Sequence, residues 1–156
     1  MVESNALDAI RMGIELERAA VDAYRRAAGE AATEGCRQLF RELLEFEEEH
    51  LRYLSSLHDE LAGGRSWLSY PGSGKHEHLP PPGQNAKTPD LNEQALRRER
   101  AALTAALHAE QKARDVFVRA AEETKDPAGK SIFEHLAEEE LWHIEWVQSR
   151  LQALPD

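Results

Sequence analysis

The sequence predicts an all-α protein, a four-helix bundle made of two αα-hairpins with a long crossover between helices 2 and 3. Three observations lead there. The chain is rich in Ala, Leu, Glu and Arg, which are good helix formers. Its apolar residues recur at steps of three and four, and no segment alternates with a period of two. The two halves also register on each other, without a gap, when one is shifted by 93 residues. At 156 residues the chain has the length of one domain, 1–156, able to bury a core.

The first helix is expected over about 5–31, capped by Ser4 or Asn5, with Asp8 in its first turn. Its inward stripe reads Leu7, Ile10, Ile14, Glu17, Val21, Tyr24 and Ala28, so one glutamate interrupts an apolar face. Thr33 caps a second helix over about 34–61, ended by Ala62-Gly63-Gly64. Its stripe is Leu39/Phe40, Leu43, Glu47, His50, Leu51, Leu54, Leu57 and Leu61. Residues 62–90 are too proline-rich for a helix and read as a crossover, whose Trp67, Leu68 and Tyr70 should pack down. Asp90 and Glu93 form a capping-box-like start for a third helix, about 91–124, with Leu96, Leu103, Leu107, Glu110, Ala113, Phe117 and Ala121 inward. Asp126-Pro127 opens the fourth, about 127–153, since a cap followed by proline suits a helix start. Its stripe is Phe133, Leu136, Glu140, His143, Ile144, Val147, Leu151 and Leu154.

The net charge of −10 argues against nucleic-acid binding and suits a chain that attracts cations. No apolar run approaches the ~20 residues of a membrane span, and the N-terminus does not resemble a signal peptide. A single cysteine, Cys36, excludes an intramolecular disulfide framework and a thiolate-only metal site. A cytoplasmic location is the expectation.

The repeat carries the chemistry. Glu17 falls on Glu110, Tyr24 on Phe117, Glu47 on Glu140, His50 on His143, and the turn at Thr33 on Asp126. Each hairpin therefore holds a mid-helix glutamate and, 30 residues later, a Glu-x-x-His whose two side chains share one helix face. Folding the hairpin brings them to the same height. Two hairpins about a pseudo-two-fold axis then place four carboxylates and two imidazoles in one layer, the ligand set of dinuclear carboxylate centres. A carboxylate on an apolar stripe needs a partner. Two divalent cations nearly match four carboxylates, and a buried ionic network without metal is the alternative. Glu47 and Glu140 are expected to bridge, Glu17 and Glu110 to be terminal, and His50 and His143 to bind one ion each. Oxygen and nitrogen donors without thiolate favour iron or manganese, with zinc as a substitute.

Other residues carry plainer expectations. Tyr24 reads as a core tyrosine, with support of the ligands or a redox role as the alternative. Trp142 and Trp146 read as packing or dimer-interface residues, and His58, His108 and His135 as surface histidines. His76-Glu77-His78 lies in the crossover and reads as a solvated loop, with an adventitious surface metal site as the alternative. Cys36 reads as a small buried hydrophobe.

The motifs Glu17-x-x-Ala20-x-x-x-Tyr24, Glu47-x-x-His50, Glu110-x-x-Ala113-x-x-x-Phe117 and Glu140-x-x-His143 resemble the rubrerythrin-like branch of the ferritin-like superfamily. The resemblance covers about residues 5–62 and 91–154. It implies a ferritin-like bundle, two iron ions held by Glu17, Glu47, His50, Glu110, Glu140 and His143, reaction with peroxide or dioxygen, and a homodimer. Two departures stand out. A rubredoxin domain needs four cysteines, and the further helix-three glutamate of rubrerythrins proper is here Ala113. Turnover would therefore draw on an external electron donor. The expected function is a di-iron carboxylate oxidoreductase, of peroxide reductase or ferroxidase type, with a non-enzymatic iron-storage or delivery protein as the alternative.

Overall fold

Four helices form where the capping residues and apolar periods place them: α1 (Ser4–Glu30), α2 (Glu34–Ala62), α3 (Glu93–Glu123) and α4 (Pro127–Ala153). The structure, a computed structural model, describes residues 4–72 and 91–155. Thr33 Oγ1 accepts the Cys36 N–H at 3.2 Å, and Asp126 Oδ1 accepts that of Ala128 at 2.9 Å, with Pro127 in the first turn. The start of α3 differs from the expected Asp90–Glu93 box. Asn92 is the cap, its Oδ1 accepting the Ala95 N–H at 2.8 Å, while Asp90 lies outside the described residues. Asparagine is as good an acceptor for the unpaired N–H groups of a first turn as aspartate.

α1 pairs along its length with α2, and α3 with α4, each joined by a three-residue turn. The hairpins meet mainly where α1 faces α3, and α2 and α4 approach less closely. This explains a shift in the inward faces. Ala6, Gly13 and Ala20 of α1 and Ala95, Ala106 and Ala113 of α3 are buried, whereas Leu7, Ile14, Ala28, Leu96 and Leu107 are half-buried. Small residues sit where two backbones come close, and the larger neighbours seal the edges. At Gly13 a Cβ would come within 3.0 Å of the Phe117 ring. On the wider α2–α4 side aromatic residues fill the gap: Phe46 and Trp146 are both core, their rings 5.5 Å apart. Leu51 and Leu151 are half-buried there.

The interior divides into two apolar clusters. One gathers Ile10, Leu54, Leu57, Phe117, Phe133 and Leu136, and the other Tyr24, Leu39, Phe40, Leu43, Leu103 and Val147. Each fully buried side chain of this size contributes about 1.5–3 kcal/mol. Between them, at mid-height, lie the glutamates and histidines of the repeat.

The first part of the crossover packs as expected. Tyr53 donates its hydroxyl to the Leu68 carbonyl at 2.7 Å, and the Trp67 ring meets Phe133 edge-on at 5.8 Å. Trp67 lies so close to α4 that a Cβ at Gly129 would sit 2.5 Å from its ring. His76, Glu77 and His78 lie outside the described residues. No helix among the described residues is long and apolar enough to cross a membrane.

Candidate metal centre

Each helix delivers its part of one cluster. Glu17 comes from α1, Glu47 and His50 from α2, Glu110 from α3, and Glu140 and His143 from α4; all six are at most 2 % exposed. His50 Nδ1 lies 3.0 Å from Glu140 Oε1, 3.2 Å from Glu47 Oε2 and 3.9 Å from Glu17 Oε2. His143 Nδ1 lies 2.9 Å from Glu47 Oε1, 3.4 Å from Glu110 Oε2 and 3.6 Å from Glu140 Oε2. Glu47 and Glu140 thus each turn one oxygen to one imidazole and the other oxygen to its mate. The two rings stack, with centroids 5.9 Å apart.

Electrostatics in this layer is severe. Burial pushes the Glu140 carboxyl well above its ordinary value, and the charges of Glu110 and Glu47 push it further. Burial also raises Glu110, reinforced by Glu47. Burial would raise Glu47 too, but hydrogen bonds from His143 and His50 hold it well below the usual carboxylate range. For His50 burial works against the imidazolium, yet bonds to Glu139, Glu140 and Glu47 lift it well above its ordinary value. His143 is lifted likewise, against burial, by Glu110, Glu140 and Glu47. Without other cations the cluster must keep protons it would not hold in water.

The donor set fits a pair of metal ions. Both oxygens of Glu17, and Oε2 of Glu47, Glu110 and Glu140, are buried without a hydrogen bond. Leaving such acceptors unsatisfied is costly, more so for charged groups. Two groupings have ligand atoms all within 4.8 Å of one another: Glu17, Glu47, His50 and Glu140, and Glu47, Glu110, Glu140 and His143. They share Glu47 and Glu140, and two divalent ions would balance four carboxylates while leaving both imidazoles neutral.

The sequence model of the family described as Rubrerythrin matches residues 8–151. The chain belongs to the rubrerythrin family. Among solved structures it is similar to a two-domain protein from Anabaena variabilis containing DJ-1/ThiJ/PfpI-like and ferritin-like domains. The two are 12 % identical with a TM-score of 0.67, and the match covers 97 % of this chain and 37 % of that one, so the likeness shows the fold. No curated protein matches the chain.

Around the centre of this rubrerythrin-family chain, Tyr24 is a buried core residue that also donates its hydroxyl to Glu110 Oε1 at 2.9 Å. Burial, with the Glu110 charge beside it, keeps that phenol protonated. Its repeat mate Phe117 has no hydroxyl, so the two halves support their terminal glutamates differently. His108 and His135 are exposed, His58 is half-buried, Cys36 is fully buried, and Trp146 is core while Trp142 is half-buried. Ala113 occupies a buried position on α3 beside Glu110.

Three buried charged residues escaped the sequence reading. Glu139 Oε2 lies 2.5 Å from His50 Nε2 and accepts the Tyr70 hydroxyl at 2.6 Å. Far from the centre, Glu99 accepts the Thr33 N–H at 2.6 Å and its hydroxyl at 3.0 Å, and Arg150 reaches Thr33 Oγ1 at 3.5 Å. The repeat held the signal for all three. Shifted by 93 residues, Glu139, Glu99 and Arg150 fall on Phe46, Ala6 and Leu57, inward apolar positions of the first half.

Proposed function

We propose that this chain is a di-iron carboxylate oxidoreductase in which Glu17, Glu47, His50, Glu110, Glu140 and His143 hold two irons that react with peroxide or dioxygen. The observation that carries this reading is the division of the Glu47 and Glu140 oxygens between the two imidazoles, the arrangement a bridging carboxylate needs. Two ferrous ions held by these residues would supply two electrons, the number needed to convert one peroxide, with two protons, into two waters. Manganese or zinc would fit the same donors.

The chain's own residues do the rest. His50 and His143 ligate as neutral imidazoles, so loading displaces the protons that the metal-free cluster retains. Tyr24 holds the Glu110 carboxylate through its hydroxyl. The apolar clusters on either side keep the layer dry, which strengthens every charge interaction within it. Cys36 is the single cysteine of these 156 residues, so we read the electrons for repeated turnover as coming from a donor outside them. As in related chains, the working unit is read as a homodimer.

A second reading, iron storage or delivery without turnover, is favoured by Ala113 standing where rubrerythrins proper carry a further glutamate. One experiment separates them. With a reductant present, catalytic loss of peroxide over many equivalents supports the oxidoreductase. Iron uptake and release in fixed stoichiometry, with no peroxide consumed beyond it, supports storage.

A further inference from the structure

Outside the six residues already described, one polar chain reaches the centre from the crossover. His50 presents Nδ1 to Glu47 and Glu140 and Nε2 to Glu139 Oε2, at 2.5 Å. The same Glu139 oxygen accepts the Tyr70 hydroxyl at 2.6 Å. Glu139 is 3 % exposed, so its carboxylate has left water to be there. Tyr70 is itself held. Its ring packs on Tyr53 with centroids 4.6 Å apart, and Tyr53 anchors the neighbouring Leu68 carbonyl. The two halves differ here, because the repeat mate of Glu139 is Phe46, whose ring lies 5.4 Å from that of His143.

We propose that Glu139 and Tyr70 are positioning residues for His50. Glu139 accepts the Nε2–H, which fixes the tautomer with its lone pair on Nδ1 and turns that atom to the metal side. Tyr70 fixes Glu139. The inference rests on the metal reading above. A carboxylate behind a ligating imidazole orients the ring and raises its basicity, and losing one typically weakens metal affinity by about 10–100-fold. Because the pair supports only one of the two imidazoles, the loss belongs to the position shared by Glu17 and His50. The eight residues after Gly64 are then part of the centre, not merely its cover.

The test is an anaerobic Co(II) titration of the full chain followed by visible absorption, with proton NMR of the loaded protein to observe the shifted imidazole N–H resonances. Wild type, Glu139→Ala, Glu139→Gln and Tyr70→Phe are compared, and circular dichroism confirms that each is folded. The expected result is two ions in wild type and, in Glu139→Ala, about 10–100-fold weaker binding of one of them. The His50 N–H resonance is lost or exchanges rapidly, while that of His143 persists. Glu139→Gln, which can still accept the N–H, and Tyr70→Phe fall between. Unchanged affinity and an unchanged His50 resonance in Glu139→Ala would overturn the proposal. So would equal weakening of both ions with lost helicity, which marks a purely structural role. A wild type that binds no Co(II) would instead overturn the metal reading itself.

Discussion

Glu140 shows how the centre sets the protein's stability against its chemistry. Its carboxyl is fully buried among Glu110, Glu47 and two imidazoles, and burial raises it well above the usual range. Glu140→Gln should therefore remove an electrostatic cost from the metal-free fold while removing a carboxylate that we propose as a bridging ligand. We expect the metal-free variant to be more stable than wild type at neutral pH, because the amide carries no charge to desolvate beside Glu110 and Glu47. It should also fail to bind a metal pair. Thermal or denaturant unfolding in chelator, beside a metal titration, checks both halves. The pH dependence follows from the same residues. His50 and His143 are held above 6.5, and Glu110 and Glu140 above 4.5, so their contribution is fully present below those unfolded-state values and is lost as pH rises through the folded ones. Glu47, held below 4.5, acts oppositely, and its contribution is lost only on acidification below that value. The metal-free protein should therefore lose stability as pH rises above 4.5, and further above 6.5, the unfolded-state values of these carboxyls and imidazoles. Added metal should remove or reverse that slope, because binding releases the protons concerned. Melting curves with and without chelator across that range decide it.

Among the elements, the helix starts were the most legible. Thr33 and Asp126-Pro127 are local signals and cap as read, whereas at α3 the expected cap was Asp90 and Asn92 took the role. Thr33 does more than cap, since its hydroxyl also donates to buried Glu99. Asn92→Ala should cost about 1 kcal/mol, the ordinary value of a cap. Thr33→Ala should cost about 1–3 kcal/mol more, because it leaves a buried carboxylate oxygen short of a donor. Denaturant unfolding of the two variants side by side gives the difference. The inward faces were legible to within a residue. Period alone favoured Leu7, Ile14, Leu96 and Leu107, but how closely α1 lies against α3 is a tertiary fact, and it put alanine and glycine inside instead. For the same reason Glu139 was not read as buried. In the run Glu138-Glu139-Glu140 the apolar stripe marks Glu140, and nothing local marks Glu139 as buried beside it, although its repeat mate Phe46 does. The contact of Tyr70 with Glu139 spans 69 residues and follows from no period.

At the scale of the whole molecule, the repeat explains both what the two halves share and where they part. The ligand positions obey it, and so do the turns. The supporting residues break it: Tyr24 against Phe117 and Glu139 against Phe46. Two metal positions with like ligands but unlike surroundings should differ in intrinsic affinity. All of this depends on whether the buried layer binds two ions. The most direct measurement is an anaerobic Fe(II) titration of the full chain, wild type beside Glu47→Ala/Glu140→Ala, followed by addition of peroxide. The account predicts two irons per chain in wild type, oxidised on adding peroxide, and none held by the double variant. No stoichiometric binding by wild type, or undiminished binding by the variant, would contradict it.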